Sequence, residues 1–256
     1  MDLIGQTHMH LFGLIGFPLT HSFSKKYFTE KFEKLGLAIS HSYELYEMEN
    51  PSNFPKLFAE NPELKGVNIT IPHKQSVFSF LDSLDSSAEK VMAVNVVKRT
   101  IDNKLIGYNS DYYGFKRSLL EFLGKDIELI QLKALVLGYG GAAKAIVAVL
   151  EDLGVKNQLV SRKSSEIAIN YAESDKYIES HKLIINCSPL GTYPKTDQCP
   201  SIDYNKLSKD HFLFDLVYNP PVSLFLQNGL ANGAAIKNGY DMLVYQAEKS
   251  WEIWQE

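Results

Sequence analysis

The sequence predicts an α/β protein built in two parts, and three observations carry that prediction. Residues 11 to 113 alternate strand-like runs with helix-like ones. A second series, beginning near residue 114, alternates short and almost wholly apolar runs with a helix. At one of its strand-to-helix junctions stands a glycine-rich turn, LGYGG. With 256 residues the chain is long enough for one large domain or two modest ones, each with its own core.

LFGLIG (11–16) opens the first series as a strand. SKKYFTEKFEKLG (24–36) sets Tyr27, Phe28, Phe32 and Leu35 at helical spacing and closes on Gly36, a helix stop. SYELYEM (42–48) is the next strand. FPKLFAENP (54–62) and SVFSFLDSLDSSAEKVM (76–92) predict two more short helices. Between them lies GVNITIPHK (66–74), where Val67, Ile69 and Ile71 alternate with Asn68 and Thr70, giving an apolar face and a polar one. Pro72 has no N–H for a ladder bond and ends that strand, and Lys74 follows just beyond it. AVNVVKR (93–99) is a strand with Asn95 among valines.

YYGFKRSLLEFLG (112–124) begins the second series as a helix carrying Phe115, Leu119, Leu120, Phe122 and Leu123. KALVLG (133–138), NQLVSR (157–162), HKLIINCS (181–188) and HFLFDLVY (211–218) suit strands of a parallel sheet covered on both faces. The helix AAKAIVAVLEDLG (142–154) separates the first two, and MLVYQAEKSWEIWQE (242–256) is an amphipathic helix at the end.

Composition narrows the function. An apolar fraction of 45% and a charged fraction of 22% are those of a globular protein. A net charge of −4 gives no concentrated basic surface, so neither nucleic acid nor an anionic membrane is an expected partner, and a small ligand is. Cys187 and Cys199 are the only cysteines, too few for a disulfide framework or a cysteine zinc site. No apolar run reaches the length of a bilayer span, and MDLIGQTHMH lacks the features of a signal peptide, so cytoplasmic residence is expected.

LVLGYGGAAKA places Gly138, Gly140 and Ala143 in a G-x-G-x-x-A pattern, directly after a strand and at the mouth of a helix. The first glycine permits the tight turn and the second lets backbone approach a pyrophosphate. The helix start through Gly141 and Ala142 adds N–H donors and partial positive charge. This is the signal of a Rossmann-like dinucleotide domain. The following strand ends in Ser161, Arg162 and Lys163, where an enzyme preferring NAD usually carries an acidic residue, so the expected cofactor is NADP rather than NAD.

Polar clusters mark several element ends: Ser22 and Ser24 in HSFS, Asn68, Thr70 and Lys74, then Asn95, then Asn109 and Asp111 in GYNSDYYGF. Taken together, GFPLTHSFS, GVNITIPHK, AVNVV, GYNSDYYGF, LGYGGAAKA, NCSPLG, DLVYNP and GYDMLVYQA occur in the order and rough spacing of shikimate dehydrogenases. The resemblance runs from about residue 13 to the end of the chain. It implies a substrate-binding catalytic domain of residues 1–113 and 236–256, with the final helix returning to it. It further implies an NADP-binding Rossmann-like domain of residues 114–235, with the active site in the cleft between the two.

Carried over by position, the resemblance implies that Ser22 and Ser24, with Tyr218, hold the shikimate carboxylate, and that Asn68, Asn95, Asp111 and Gln246 bind the ring hydroxyls while Thr70 lines the same face. Lys74 and Asp111 would be the catalytic pair, Lys74 acting as acid in reduction and base in oxidation. Ser188 would stand near the cofactor and Met242 beside its nicotinamide. The implied reaction is reversible, NADPH-dependent reduction of 3-dehydroshikimate to shikimate in aromatic amino-acid biosynthesis, by a monomer or homodimer. Rival readings are a quinate or mixed quinate/shikimate dehydrogenase, a non-catalytic sensor of NADP and shikimate, and a two-domain dehydrogenase of folate derivatives.

The chain departs from the family pattern at several positions. Lys25 stands where proline is usual, Phe28 and Thr29 where a His-Asn pair is common, and Ser110 and Tyr112 where threonine and glycine are usual. Tyr112 is therefore expected to crowd the cleft. Lys163 replaces a threonine, Glu166 occupies a frequently basic position, and Ser188 replaces a threonine while keeping the hydroxyl. His8 and His10 are a two-ligand pair without further donors, so no metal is expected. His21 and His73 flank the site motifs, and Trp251 and Trp254 are expected in the core.

Overall fold

The computed structural model describes residues 9–19 and 22–256. His8 and His21 lie outside the described residues. The chain divides into two compact units, Met1–Ser110 with Ala247–Glu256, and Asp111–Gln246.

The first unit is built on a six-stranded sheet of β1 (His10–Gly16), β2 (His41–Glu47), β3 (Leu64–Ile69), β4 (Ser83–Leu84), β5 (Val96–Arg99) and β6 (Leu105–Tyr108), in the order β2-β1-β3-β5-β6-β4. Strand β1 pairs in parallel with β2 and β3, and β5 runs antiparallel to β3 and β6. Three helices accompany it, α1 (Phe23–Lys34), α2 (Phe54–Glu60) and α3 (Ser86–Val91). Successive strand residues face opposite sides, so β1 feeds two cores. Phe12 and Leu14 pack with Phe28, Phe32, Tyr43, Ile253 and Trp254, while Ile15 packs with Phe54, Phe58, Val67, Ile69 and Val97. Each such side chain contributes about 1.5–3 kcal/mol when removed from water.

Both faces of β3 are therefore covered, and the expected polar face is buried: Asn68 is 5% exposed. Ile71, expected on the apolar face, is 70% exposed, because β3 ends at Ile69 and the chain has already turned. The single helix expected over 76–92 is instead a 3₁₀ turn at Ser76–Phe80, the short strand β4 and α3. Asp85 caps α3 by accepting from the Ser87 N–H at 2.9 Å, and Asp82 accepts from the Leu105 N–H at 2.7 Å. Asp85 thus takes a backbone donor that a continuous helix would have kept, and Asp82 ties the segment to the first residue of β6.

The second unit carries β7 (Lys133–Leu137), β8 (Lys156–Ser161), β9 (Ala168–Asn170), β10 (Leu183–Asn186), β11 (Phe212–Asp215) and β12 (Ala235–Lys237). All its pairings are parallel, in the order β12-β11-β10-β7-β8-β9. This is a doubly wound, Rossmann-like sheet whose direction of winding reverses between β7 and β10. Helices α5 (Gly141–Asp152), α6 (Tyr171–Ser174) and α7 (Leu224–Ala231) connect its strands. The two longest helices, α4 (Ser110–Leu123) and α8 (Tyr240–Gln255), each continue from one unit into the other. Among the described residues no helix is long and apolar enough to cross a membrane.

Candidate active site

In an open parallel sheet, ligands bind beyond the carboxyl ends of the strands where the winding reverses. A pocket of about 820 Å³ lies there in the second unit. Three turns line it: Gly138–Gly140 after β7, Ser161–Lys163 after β8, and Cys187–Leu190 after β10, with Tyr171 at the start of α6.

The glycine turn is shaped for close approach. Gly138 has φ +102, a left-handed conformation that disfavours any residue with a Cβ, and an added Cβ would come within 3.1 Å of the Ser188 nitrogen. Gly140 caps α5 with no side chain to accept from the first N–H groups, and Gly140 and Gly141 face open space. Those donors, the positive end of the α5 dipole and the pocket beside them fit a pyrophosphate. Ala142 continues the first turn, and Ala143 is fully buried beneath it.

Arg162 and Lys163 are exposed at the pocket rim, and the Ser161 hydroxyl donates to the Lys163 carbonyl, which fixes the turn that presents them. Two cations and no carboxylate on this turn suit a 2′-phosphate. Ser188 lines the opposite wall, with both its N–H and its hydroxyl bonded to Asn186 Oδ1, at 3.0 and 2.6 Å. Tyr139, Tyr171, Cys187, Pro189 and Leu190 complete the lining and were not assigned to the site from sequence. Tyr139 is the unspecified position of the glycine pattern, and Tyr171 follows β9, a strand too short to carry a periodicity. Burial pushes the Cys187 thiol up, with Asp215 adding to it, which favours the neutral thiol over the nucleophilic thiolate. Met242 is buried in α8 and Tyr218 is exposed after β11, both outside this lining.

In the first unit the expected substrate residues join one polar network. Asn68 Oδ1 accepts from the Tyr43 hydroxyl at 2.8 Å, and its Nδ2 donates to Ser250 Oγ at 2.9 Å and to the Asn95 carbonyl at 3.3 Å. Asn95, 3% exposed, accepts from the Ser110 N–H at 2.6 Å and donates to Ser110 Oγ at 3.1 Å. The Ser24 side chain also hydrogen-bonds the Tyr43 hydroxyl. Buried amides so engaged have their orientation determined by their partners.

Ser22 is the N-cap of α1, where its hydroxyl oxygen accepts from the Lys25 N–H at 3.1 Å. The lysine at the family's usual proline position supplies the donor that proline lacks, and Ser22 keeps its own hydroxyl proton for an acceptor. Thr70 is half-buried just past β3, its N–H bonded to the Ile15 carbonyl at 2.8 Å. Beyond it the turn bearing Lys74 is pinned twice. The buried His73 ring bonds the Met48 carbonyl through Nε2, and the Lys74 carbonyl accepts from the Val94 N–H at 2.7 Å. His73 is therefore a structural peg, and the half-buried Lys74 side chain projects from a fixed turn.

Asp111 lies half-buried in the first turn of α4, where the helix dipole favours a carboxylate. The neighbouring Tyr112 is buried. Its hydroxyl donates to Asp152, the last residue of α5, and the 12 residues of that helix set it about 18 Å from the Gly140 end. Gln246, in α8, is buried and donates to the Leu243 carbonyl at 3.0 Å. Phe28 is fully buried in the core rather than at a site. Among the described residues no group of three or more His, Cys, Asp or Glu is placed to hold a metal. His10 instead stacks on His41, with ring centroids 4.8 Å apart.

A doubly wound sheet with a glycine turn, a cationic turn and a hydroxyl turn at its reversal point defines a dinucleotide-binding α/β protein. Comparison with known proteins narrows the class. The family model for the shikimate dehydrogenase substrate binding domain matches residues 14–97. A shikimate dehydrogenase (NADP(+)) of Clostridium beijerinckii is 41% identical over 97% of this chain and 93% of its own length. Among solved structures, shikimate 5-dehydrogenase from Listeria monocytogenes, in complex with shikimate and NAD, superposes with a TM-score of 0.86 at 27% identity, covering 96% of this chain and 92% of that one. The Thermus thermophilus enzyme in complex with NADP(H) and shikimate gives a TM-score of 0.82 at 26% identity, covering 96% and 93%. The chain belongs to the shikimate dehydrogenase family.

Proposed function

We propose that this chain is an NADP-dependent shikimate dehydrogenase that reversibly reduces 3-dehydroshikimate to shikimate, acting in the cytoplasm as a monomer or homodimer. The observation that carries the reading is a full-length match to NADP-dependent relatives, joined to a pocket whose rim bears Arg162 and Lys163. In functional terms residues 1–113 and 236–256 serve the substrate, and residues 114–235 the cofactor.

When bound, NADPH supplies the hydride. Gly138, Gly140 and the first turn of α5 hold its pyrophosphate, and Ser161, Arg162 and Lys163 hold the adenosine ribose with its 2′-phosphate. Ser22, Ser24 and Tyr218 donate hydrogen bonds to the substrate carboxylate, each charge-assisted bond contributing about 1.5–3 kcal/mol. Asn68, Asn95, Asp111 and Gln246 bind the ring hydroxyls, and Thr70 lines the same face. Lys74 gives a proton to the carbonyl oxygen in reduction and recovers it in oxidation, with Asp111 as its carboxylate partner in the reaction.

A spectrophotometric assay at the nicotinamide absorbance, run with shikimate and with quinate and with NADP and NAD in turn, tests the reading. Turnover is expected with shikimate and NADP. Its absence overturns the activity, faster turnover of quinate overturns the substrate, and equal affinity for NAD and NADP overturns the cofactor preference.

A further inference from the structure

We propose that Asp215 is a positioning residue for the nucleotide pocket: acting through Asn186, it fixes the Cys187–Leu190 turn and makes Ser188 Oγ a hydrogen-bond acceptor toward an N–H or O–H donor of the bound nucleotide. The inference rests on the reading that this pocket holds NADP(H).

Asp215 and Asn186 are the last residues of β11 and β10, directly opposite in register, and both are fully buried. Asp215 accepts from Asn186 Nδ2 at 2.9 Å, from the Val217 N–H at 3.0 Å and from the Ser223 hydroxyl. A carboxylate in this setting only accepts, so the Asn186 amide must turn its nitrogen toward Asp215 and its oxygen toward Ser188. The reverse orientation would set oxygen against carboxylate and nitrogen against the Ser188 N–H. The Asn186 oxygen then takes both the backbone and the hydroxyl hydrogen of Ser188, at 3.0 and 2.6 Å. With its proton committed to the protein interior, Ser188 Oγ offers the pocket a lone pair and no hydrogen. The Leu190 N–H approaches the same oxygen at 3.4 Å, which draws the turn closed around it. Nicotinamide nucleotides carry suitable donors in the carboxamide and the ribose hydroxyls.

The test is equilibrium titration of the full-length protein with NADPH by fluorescence, with thermal unfolding measured without nucleotide. Ser188→Ala is expected to weaken binding about three- to tenfold with little change in unfolding temperature, and Ser188→Thr, which keeps the hydroxyl, to retain affinity. Asn186→Ala should weaken binding at least as much, and adding Ser188→Ala to it should cost no more than about a further twofold, because the hydroxyl has already lost its orientation. Asp215→Asn keeps an acceptor toward Asn186 and should bind within about threefold of wild type, whereas Asp215→Ala should not. Losses that simply multiply in the double variant, or a Ser188→Ala protein that binds as wild type does, overturn the relay. The Ser188 pair decides the matter even where the buried variants fail to fold. Absence of NADPH binding by the wild-type chain would overturn the nucleotide reading together with the relay.

Discussion

Lys74, the proposed proton donor, sits on a turn that the fold holds from two sides. Its turn is held by a buried imidazole on one side and by a backbone bond to Val94 on the other, so replacing the side chain leaves the turn intact. Lys74→Ala should therefore lower kcat about 10²–10⁴-fold while the KM for shikimate changes little, as steady-state kinetics would read. Near-normal turnover would remove Lys74 from the mechanism. Tyr43 poses the complementary case. Its ring stacks on Phe28 with centroids 4.7 Å apart, and its hydroxyl holds Asn68 at 2.8 Å. Tyr43→Phe preserves the stack and deprives a buried amide oxygen of its donor. The expected outcome is a loss of about 1–3 kcal/mol in denaturant unfolding, with a rise in the KM for shikimate that exceeds any fall in kcat.

Elements meet through single-residue tolerances, and Gly66 in β3 is among the tightest of these. A Cβ there would lie 2.3 Å from Trp254 Nε1 and 2.6 Å from the Val97 carbonyl, the acceptor to which that indole donates at 3.1 Å. Gly66→Ala should cost about 1–3 kcal/mol by chemical denaturation, and Trp254→Phe in the same chain should recover part of it. Contacts of this kind explain what was legible in the sequence. The strands β1, β2, β3, β5, β7, β8, β10 and β11 stood out because each has four or more residues with a clear apolar pattern. Strands β4, β9 and β12 have two or three residues and take their form from a neighbour, and β6 carries a glycine in its four. Helix α7 has apolar residues without a clean stripe and Gly229 within it. The glycine turn and the cationic turn were legible because each is local in the chain. The partners of Asn68 and Asn186 were not, since Ser250 is 182 positions from Asn68, and Asp215 is 29 from Asn186.

At the scale of the whole molecule, one buried carboxyl and two half-buried imidazoles change stability with acid in opposite directions. Burial pushes the Asp215 carboxyl up from 3.8 to about 6, against the hydrogen bonds from Ser223, Val217 and Asn186 that favour its charged form. Between those two pH values the folded chain holds a proton at this site that the unfolded chain has released, so this site's contribution to stability grows as pH falls through 6 and levels off below 3.8. The difference amounts to roughly 3 kcal/mol. His41 and His181 act the other way. Burial lowers both, and His10 lowers His41 further, so the unfolded chain takes up protons first and stability falls as pH drops below 6.5. Wild-type stability alone mixes these contributions, but Asp215→Asn separates them, because the histidines are common to both proteins. The neutral amide of that variant mimics the protonated acid, so the two proteins should unfold with similar free energies near pH 4, and the variant should become the more stable one as pH rises through 6 toward 8. Denaturant titrations of both proteins across that range would read the divergence directly, and parallel curves would mean that the Asp215 carboxylate carries no desolvation penalty in the folded chain.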